Sequence, residues 1–293
     1  MTRRRTETAR SRVGPSAHLL TEDYWTLSQR PLHSLVFLTP LVLLYEIGAL
    51  LYLTDAHAGM QETIRAKKLL DLFFNTFGVA GLLVSGVAML VVLFIMHVLS
   101  KDRWALRPWV IVGMLLEATM WALPLMVFGA VFQRASAMID PAGALGHLLD
   151  AGGLPAALAN GPGGASGVAG GGGLLDKSIP ARATIAIGAG IYEELLFRLI
   201  GVALLHLVAK DILRSREGVA RVVAVVGTAA AFAVYHDVAG AGGSIDWGAL
   251  VFFFAAGVYF GTIYVARGLG IVVAAHAAYD LIALVILPSL HRV

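Results

Sequence analysis

Long apolar runs decide what this chain can become. Ser34–Leu53, Phe77–Leu99, Trp109–Phe132, Thr184–Val208, Val222–Val238, Trp247–Val265 and Leu269–Leu287 read as successive runs of this kind. As helices rising ~1.5 Å per residue they reach across most or all of an apolar layer ~30 Å thick. Within lipid a segment has to satisfy its own backbone polar groups, so such runs are helical. The expected fold is all-α, a polytopic transmembrane helix bundle of about seven spans with surface amphipathic helices beside it. Charge usage agrees: 14% of residues are charged and mean hydropathy is +0.78, where a soluble domain carries about a quarter charged residues. The chain has no cysteine, which excludes disulfides, iron–sulfur clusters and thiolate zinc sites. Its formal charge of +3 is small and sits in loops and at the N-terminus, which reads as topology rather than nucleic-acid binding.

Residues 1–20 carry Arg3, Arg4, Arg5, Arg10 and Arg12 and read as a disordered basic tail. Residues 21–132 hold the N-terminal transmembrane helices, with Tyr24 and Trp25 suited to an interfacial belt. Within them Gln61 to Thr76 mixes charges with Ile64, Leu69, Leu72 and Phe73 at helical spacing, which predicts a helix lying on the membrane surface. Residues 133–183 form a Gly-rich connector, with short helices expected at Ala142–Leu149 and Leu154–Leu158. Its glycines do not make a phosphate loop, because Asp176 separates them from Lys177-Ser178. Residues 184–293 pack four spans closely and form the expected catalytic core. With the N-terminus inside, the inner face collects the tail, Lys101, Arg103, Arg107, Lys210 to Arg221 and Arg267. The outer face collects Arg65, Lys67, Lys68, Arg134, Lys177, Arg182 and Arg292, roughly half as many, so a cytoplasmic N-terminus is expected.

Three polar clusters interrupt the last four spans. Glu193, Glu194 and Arg198 form the first, His236 the second, and His276 with Asp280 the third. Ionisable groups at such depth are costly and mark function by default. Residues four apart share a helix face, so Glu194 pairs with Arg198 while Glu193 points about 100° away. A carboxylate and an imidazole sharing a water make a hydrolytic constellation. The plainer readings are structural: Glu194–Arg198 as a pair orienting neighbours, His276–Asp280 as a bond between helices, His236 as a boundary histidine. Glu46 and Glu117, in the N-terminal spans, read as packing or cavity-lining residues. Gly257 and Gly261 give a small-residue face for close helix packing.

Taken in order, Glu193-Glu194-x-x-x-Arg198, Phe232-x-x-x-His236 and His276-x-x-x-Asp280 resemble the CPBP family, which includes type II CAAX prenyl endopeptidases and bacteriocin-processing or immunity-type membrane proteins. The similarity covers roughly Thr184 to Leu287, and Gly257, Gly261 and the Gly268–Gly270 turn also resemble the family. The resemblance implies an intramembrane endopeptidase. Glu193 would be the general base and His236 would bind the same water. His276 and residue 280 would stabilise the oxyanion, with Glu194 and Arg198 as supporting charges.

One position departs from the family pattern, which has an amide-bearing Asn where this chain has Asp280. An ionised aspartate cannot donate to an oxyanion. Either Asp280 is protonated, or it holds His276 as an imidazolium that donates alone, or the site binds a metal; the second is preferred. Glu193, His236 and His276 are a set that zinc hydrolases use, although H-E-x-x-H is absent. The expectation is a glutamate-type enzyme without a cofactor, with Zn as the alternative. Expected partners are membrane lipid and a membrane-associated peptide or protein, with no nucleic acid. The expected location is a bacterial cytoplasmic membrane. The rival functions are a non-catalytic immunity or assembly factor and a proton-coupled transporter. The latter is disfavoured by the absence of an inverted repeat.

Overall fold

The computed structural model describes residues 23–55, 60–61, 65–76, 84–139, 174–236, 238 and 245–290. The expected N-terminal tail, the helices at Ala142–Leu149 and Leu154–Leu158, and Asp237 lie outside the described residues. The described residues form a helical bundle: α1 (Tyr24–Ser28), α2 (Pro31–Tyr52), α3 (Arg65–Thr76), α4 (Val84–Ser100), α5 (Pro108–Ile139), α6, α7 (Glu217–Tyr235), α8 (Trp247–Arg267) and α9. Helix α6 is α-helical over Ile179–Glu194, winds into π-helix over Leu195–Val202, returns to α over Ala203–Leu207 and ends in π-helix at Val208–Ile212. Helix α9 runs from Leu269 through a π segment at Ile282–Ile286 to Leu290. The sole strand pairing among the described residues is two residues long, Thr54–Asp55 against Met60–Gln61.

Five described helices are long and apolar enough to cross a membrane: α2, the Pro108–Phe132 part of α5, α7, α8 and α9. Helix α4 is a shorter apolar helix. Helix α6 has the length to span but carries Glu193, Glu194 and Arg198. The chain is a multi-pass membrane protein.

The described elements depart from the sequence boundaries in ways that matter. The third run continues as helix to Ile139, past the expected end at Phe132, and the fourth starts at Ile179 rather than Thr184. Ser178 sets that start, its hydroxyl accepting from the Ala181 N–H, with Pro180 in the first turn, where a missing N–H costs nothing. Helix α3 is not simply laid on the surface. Ala66 and Lys67 are buried, Lys67 pairs with Asp71 at 2.9 Å, and the helix packs on α4 and α6. Arg182 is likewise buried and donates to the Leu284 carbonyl, and Arg267 is buried against Glu117. Lys67, Arg182 and Arg267 are therefore interior groups, and the charge count across the membrane has to be made without them.

Helix α9 is the central pillar. Its most apolar window is 72% buried, against 28–44% for the other four spans, and it packs against α2, α5, α6 and α8. It starts at a sharp corner after α8, where Gly268 has φ +83, a left-handed conformation that disfavours any residue with a Cβ. Helices α6 and α9 cross antiparallel at Gly190, where a Cβ would lie 2.7 Å from the Ala277 nitrogen and 2.8 Å from the Val273 oxygen. Backbone on both sides leaves nothing soft to move. Gly190→Ala should therefore cost about 1–3 kcal/mol by overpacking. Gly218→Ala, where a Cβ meets nothing, should be neutral. Thermal unfolding of the two variants in detergent checks the contrast, and equal stabilities would contradict the close crossing. Gly257 has the same role between α8 and α7, where a Cβ would meet Ala229 Cα at 2.8 Å.

Candidate active site

Because α6 and α9 touch at Gly190, the turn that follows brings Glu194 onto His276. The Nδ1 of His276 lies 2.8 Å from Glu194 Oε1. The other oxygen of Glu194 meets Arg198 Nε at 3.1 Å, an i to i+4 ion pair in which both side chains are fully buried. The guanidinium also donates to the Gly257 carbonyl at 3.3 Å and lies 4.8 Å from the centre of the Phe232 ring. Glu194 and Arg198 thus do what residues four apart on a helix are expected to do. The partner of Glu194 on α9, however, was not legible in spacing.

Glu193 points into a different space. Its Oε2 is 3.6 Å from His236 Nε2 and 3.9 Å from His276 Nε2. That oxygen is buried and has no hydrogen-bond partner among the described residues. An orphaned carboxylate oxygen in a protein interior needs an explanation, and a water or a catalytic duty is the usual one. His236 stands where α7 ends: the helix stops at Tyr235 and residue 236 is extended. Its Nδ1 is 2.8 Å from the Phe232 carbonyl, which fixes that nitrogen as the N–H donor and leaves the Nε2 lone pair facing Glu193. His276 Nε2 also lies 3.6 Å from Asp280 Oδ2.

These groups form one side of a small cavity. Glu193, His236, His276 and Asp280 line it together with Leu125, Phe252, Phe253, Ala256 and Phe260. Two aromatic residues that sequence reasoning passed over hold the imidazoles. Phe253 stacks on His236 at 3.9 Å and 18°, and Phe260 stacks on His276 at 4.6 Å and 15°. They sit seven apart on α8, hence on one face. In the sequence Phe253 is hidden in the run Phe252-Phe253-Phe254. Tyr235 was also missed, and its hydroxyl lies 3.5 Å from Glu193 Oε1.

All four residues expected to be catalytic therefore line one cavity, and both supporting residues stand directly behind it. The orientation of His276 differs from expectation. Its close partner is Glu194 on the far nitrogen, while Asp280 stands farther off, beside the nitrogen that faces the cavity. Glu46 and Glu117 lie elsewhere. Glu46 accepts from the Tyr192 hydroxyl at 2.5 Å. Glu117 is bridged by Arg267 through two nitrogens and accepts from Tyr24 and Trp121. Both are packing groups of the N-terminal half, Glu117 with a full set of partners. Among the described residues, no three His, Asp or Glu side chains have the arrangement of a metal site. The donor set Glu193, His236 and His276 is chemically suited to zinc but is not gathered as one.

Comparison with known proteins finds a family match. Residues 176–282 fit the family model described as type II CAAX prenyl endopeptidase Rce1-like. No curated protein and no solved structure matches the chain. The matched stretch starts at the last residue of the turn before α6 and ends within α9, so it holds every polar residue of the cavity. The resemblance to the CPBP family read from the sequence thus coincides with a family match over residues 176–282, the part of the chain that is similar to these intramembrane endopeptidases.

Proposed function

We propose that the chain is a glutamate-dependent intramembrane endopeptidase that hydrolyses a peptide bond in a membrane-associated peptide or protein. The observation that carries the reading is the orphaned Oε2 of Glu193, within 4 Å of two imidazole nitrogens and open to a cavity. A water seated there donates one hydrogen to Glu193 and the other to the His236 Nε2 lone pair. Glu193 takes the first as a proton, and the resulting hydroxide attacks the scissile carbonyl carbon. The carbonyl oxygen becomes the oxyanion, which accepts from the Nε2–H of His276 as an imidazolium whose Nδ1–H is held by Glu194. Collapse of the intermediate breaks the C–N bond, and the proton on Glu193 passes to the leaving amine. Asp280 in this scheme flanks His276 and does not itself touch the oxyanion.

Glu193, His236 and His276 would be the ligands if zinc were bound, and zinc would polarise the carbonyl and acidify the water. The reading without metal is preferred because Glu193 itself can take the proton of a water shared with His236, so the attack needs no Lewis acid. We place the chain in a bacterial cytoplasmic membrane with its N-terminus inside and with no nucleic-acid partner.

The test uses the full chain, purified in detergent, with peptides ending in Cys-aliphatic-aliphatic-X, farnesylated or not. Cleavage on the C-terminal side of the cysteine is the expected result, unchanged by prolonged incubation with EDTA or phenanthroline. Activity lost with the chelator and restored by zinc would replace the glutamate reading with the metal one. Proton or solute flux in vesicles with no cleavage of any peptide would overturn both.

A further inference from the structure

Tyr235 is the last helical residue of α7 and was silent in the motifs, yet it touches the group on which the proposed chemistry turns. Its hydroxyl lies 3.5 Å from Glu193 Oε1, at the outer limit of hydrogen-bond reach. Contacts at reacting groups are often this long without substrate. The ring is held edge-on by Phe197 and His236, with centroids 5.2 and 5.1 Å away.

We propose that Tyr235 is a positioning residue for Glu193, held in place by the rings of Phe197 and His236. A phenol has a single hydrogen to donate, and here it is directed at Glu193 Oε1. With Oε1 tied down, Oε2 is the oxygen turned to His236 and His276. The two oxygens of one carboxylate thereby take different duties, one as anchor and one as base. The inference rests on the reading of Glu193 as the base.

The experiment compares wild type, Glu193→Gln and Tyr235→Phe on a farnesylated peptide, recording kcat, KM and unfolding temperature. Tyr235→Phe should lower kcat by roughly 10- to 100-fold, the worth of a hydrogen bond to a charged group. KM and the unfolding temperature should stay at the wild-type values. Glu193→Gln inactive with Tyr235→Phe at wild-type kcat overturns this inference alone. Glu193→Gln fully active overturns the reading beneath it. A kcat loss in Tyr235→Phe matched by a lower unfolding temperature would make Tyr235 a packing residue and also overturn the inference.

Discussion

Glu193→Gln should lower the turnover of a cleavable peptide by about 10²–10⁴-fold, the usual contribution of a positioned general base, while KM changes little. The amide is isosteric with the carboxylate and removes a buried charge that has no bonded counterion, so the fold should tolerate it. The measurement is steady-state cleavage at saturating peptide, with thermal unfolding as the control. His276→Ala should also lower turnover, by about 10²–10³-fold for a lost oxyanion donor. The two variants differ in a second respect: His276→Ala removes the partner of Glu194 and the ring stacked on Phe260, so it should unfold at a lower temperature as well. A glutamine variant that turns over normally would remove Glu193 from the chemistry.

Some of this site could be read in the sequence because lipid makes polar groups conspicuous. Glu193, His236 and His276 stand out for their cost in an apolar run, and the i to i+4 rule pairs Glu194 with Arg198 without any tertiary information. What the rule cannot supply is the rotation of one helix against another. That rotation is set by Gly190 packing on Ala277, and it decides that Glu194, not Asp280, is the close partner of His276. Tyr235 escaped for a related reason: a tyrosine at the end of a span looks like an interfacial belt residue. Arg267 and Glu117 lie 150 positions apart, and an arginine just past a span reads as a topology charge until its partner is seen. The bundle itself was legible because run length and hydropathy suffice for it. The ends of α5 and α6 were not, since helices here continue beyond the apolar windows that announce them.

The second large effect concerns the pair behind the site. Glu194→Leu would leave the fully buried Arg198 guanidinium without its bonded carboxylate, with the Gly257 carbonyl, two aromatic faces and the more distant Glu193 around it. Stranding one member of a buried ion pair costs about 3–5 kcal/mol, a large share of the ~5–15 kcal/mol by which folded domains are stable. The variant should unfold at a clearly lower temperature in detergent. Glu194→Leu combined with Arg198→Met removes both charges, and such replacements are often neutral or stabilising, so most of the lost stability should return. Activity should not return with it, because His276 Nδ1 still lacks the acceptor that sets the ring. Stability and catalysis thus separate: the ion pair is dispensable as a unit for folding, while Glu194 is indispensable for aiming His276. A double variant that regains both would show that Glu194 serves only to neutralise Arg198, and a stable single variant would show that Arg198 finds another counterion.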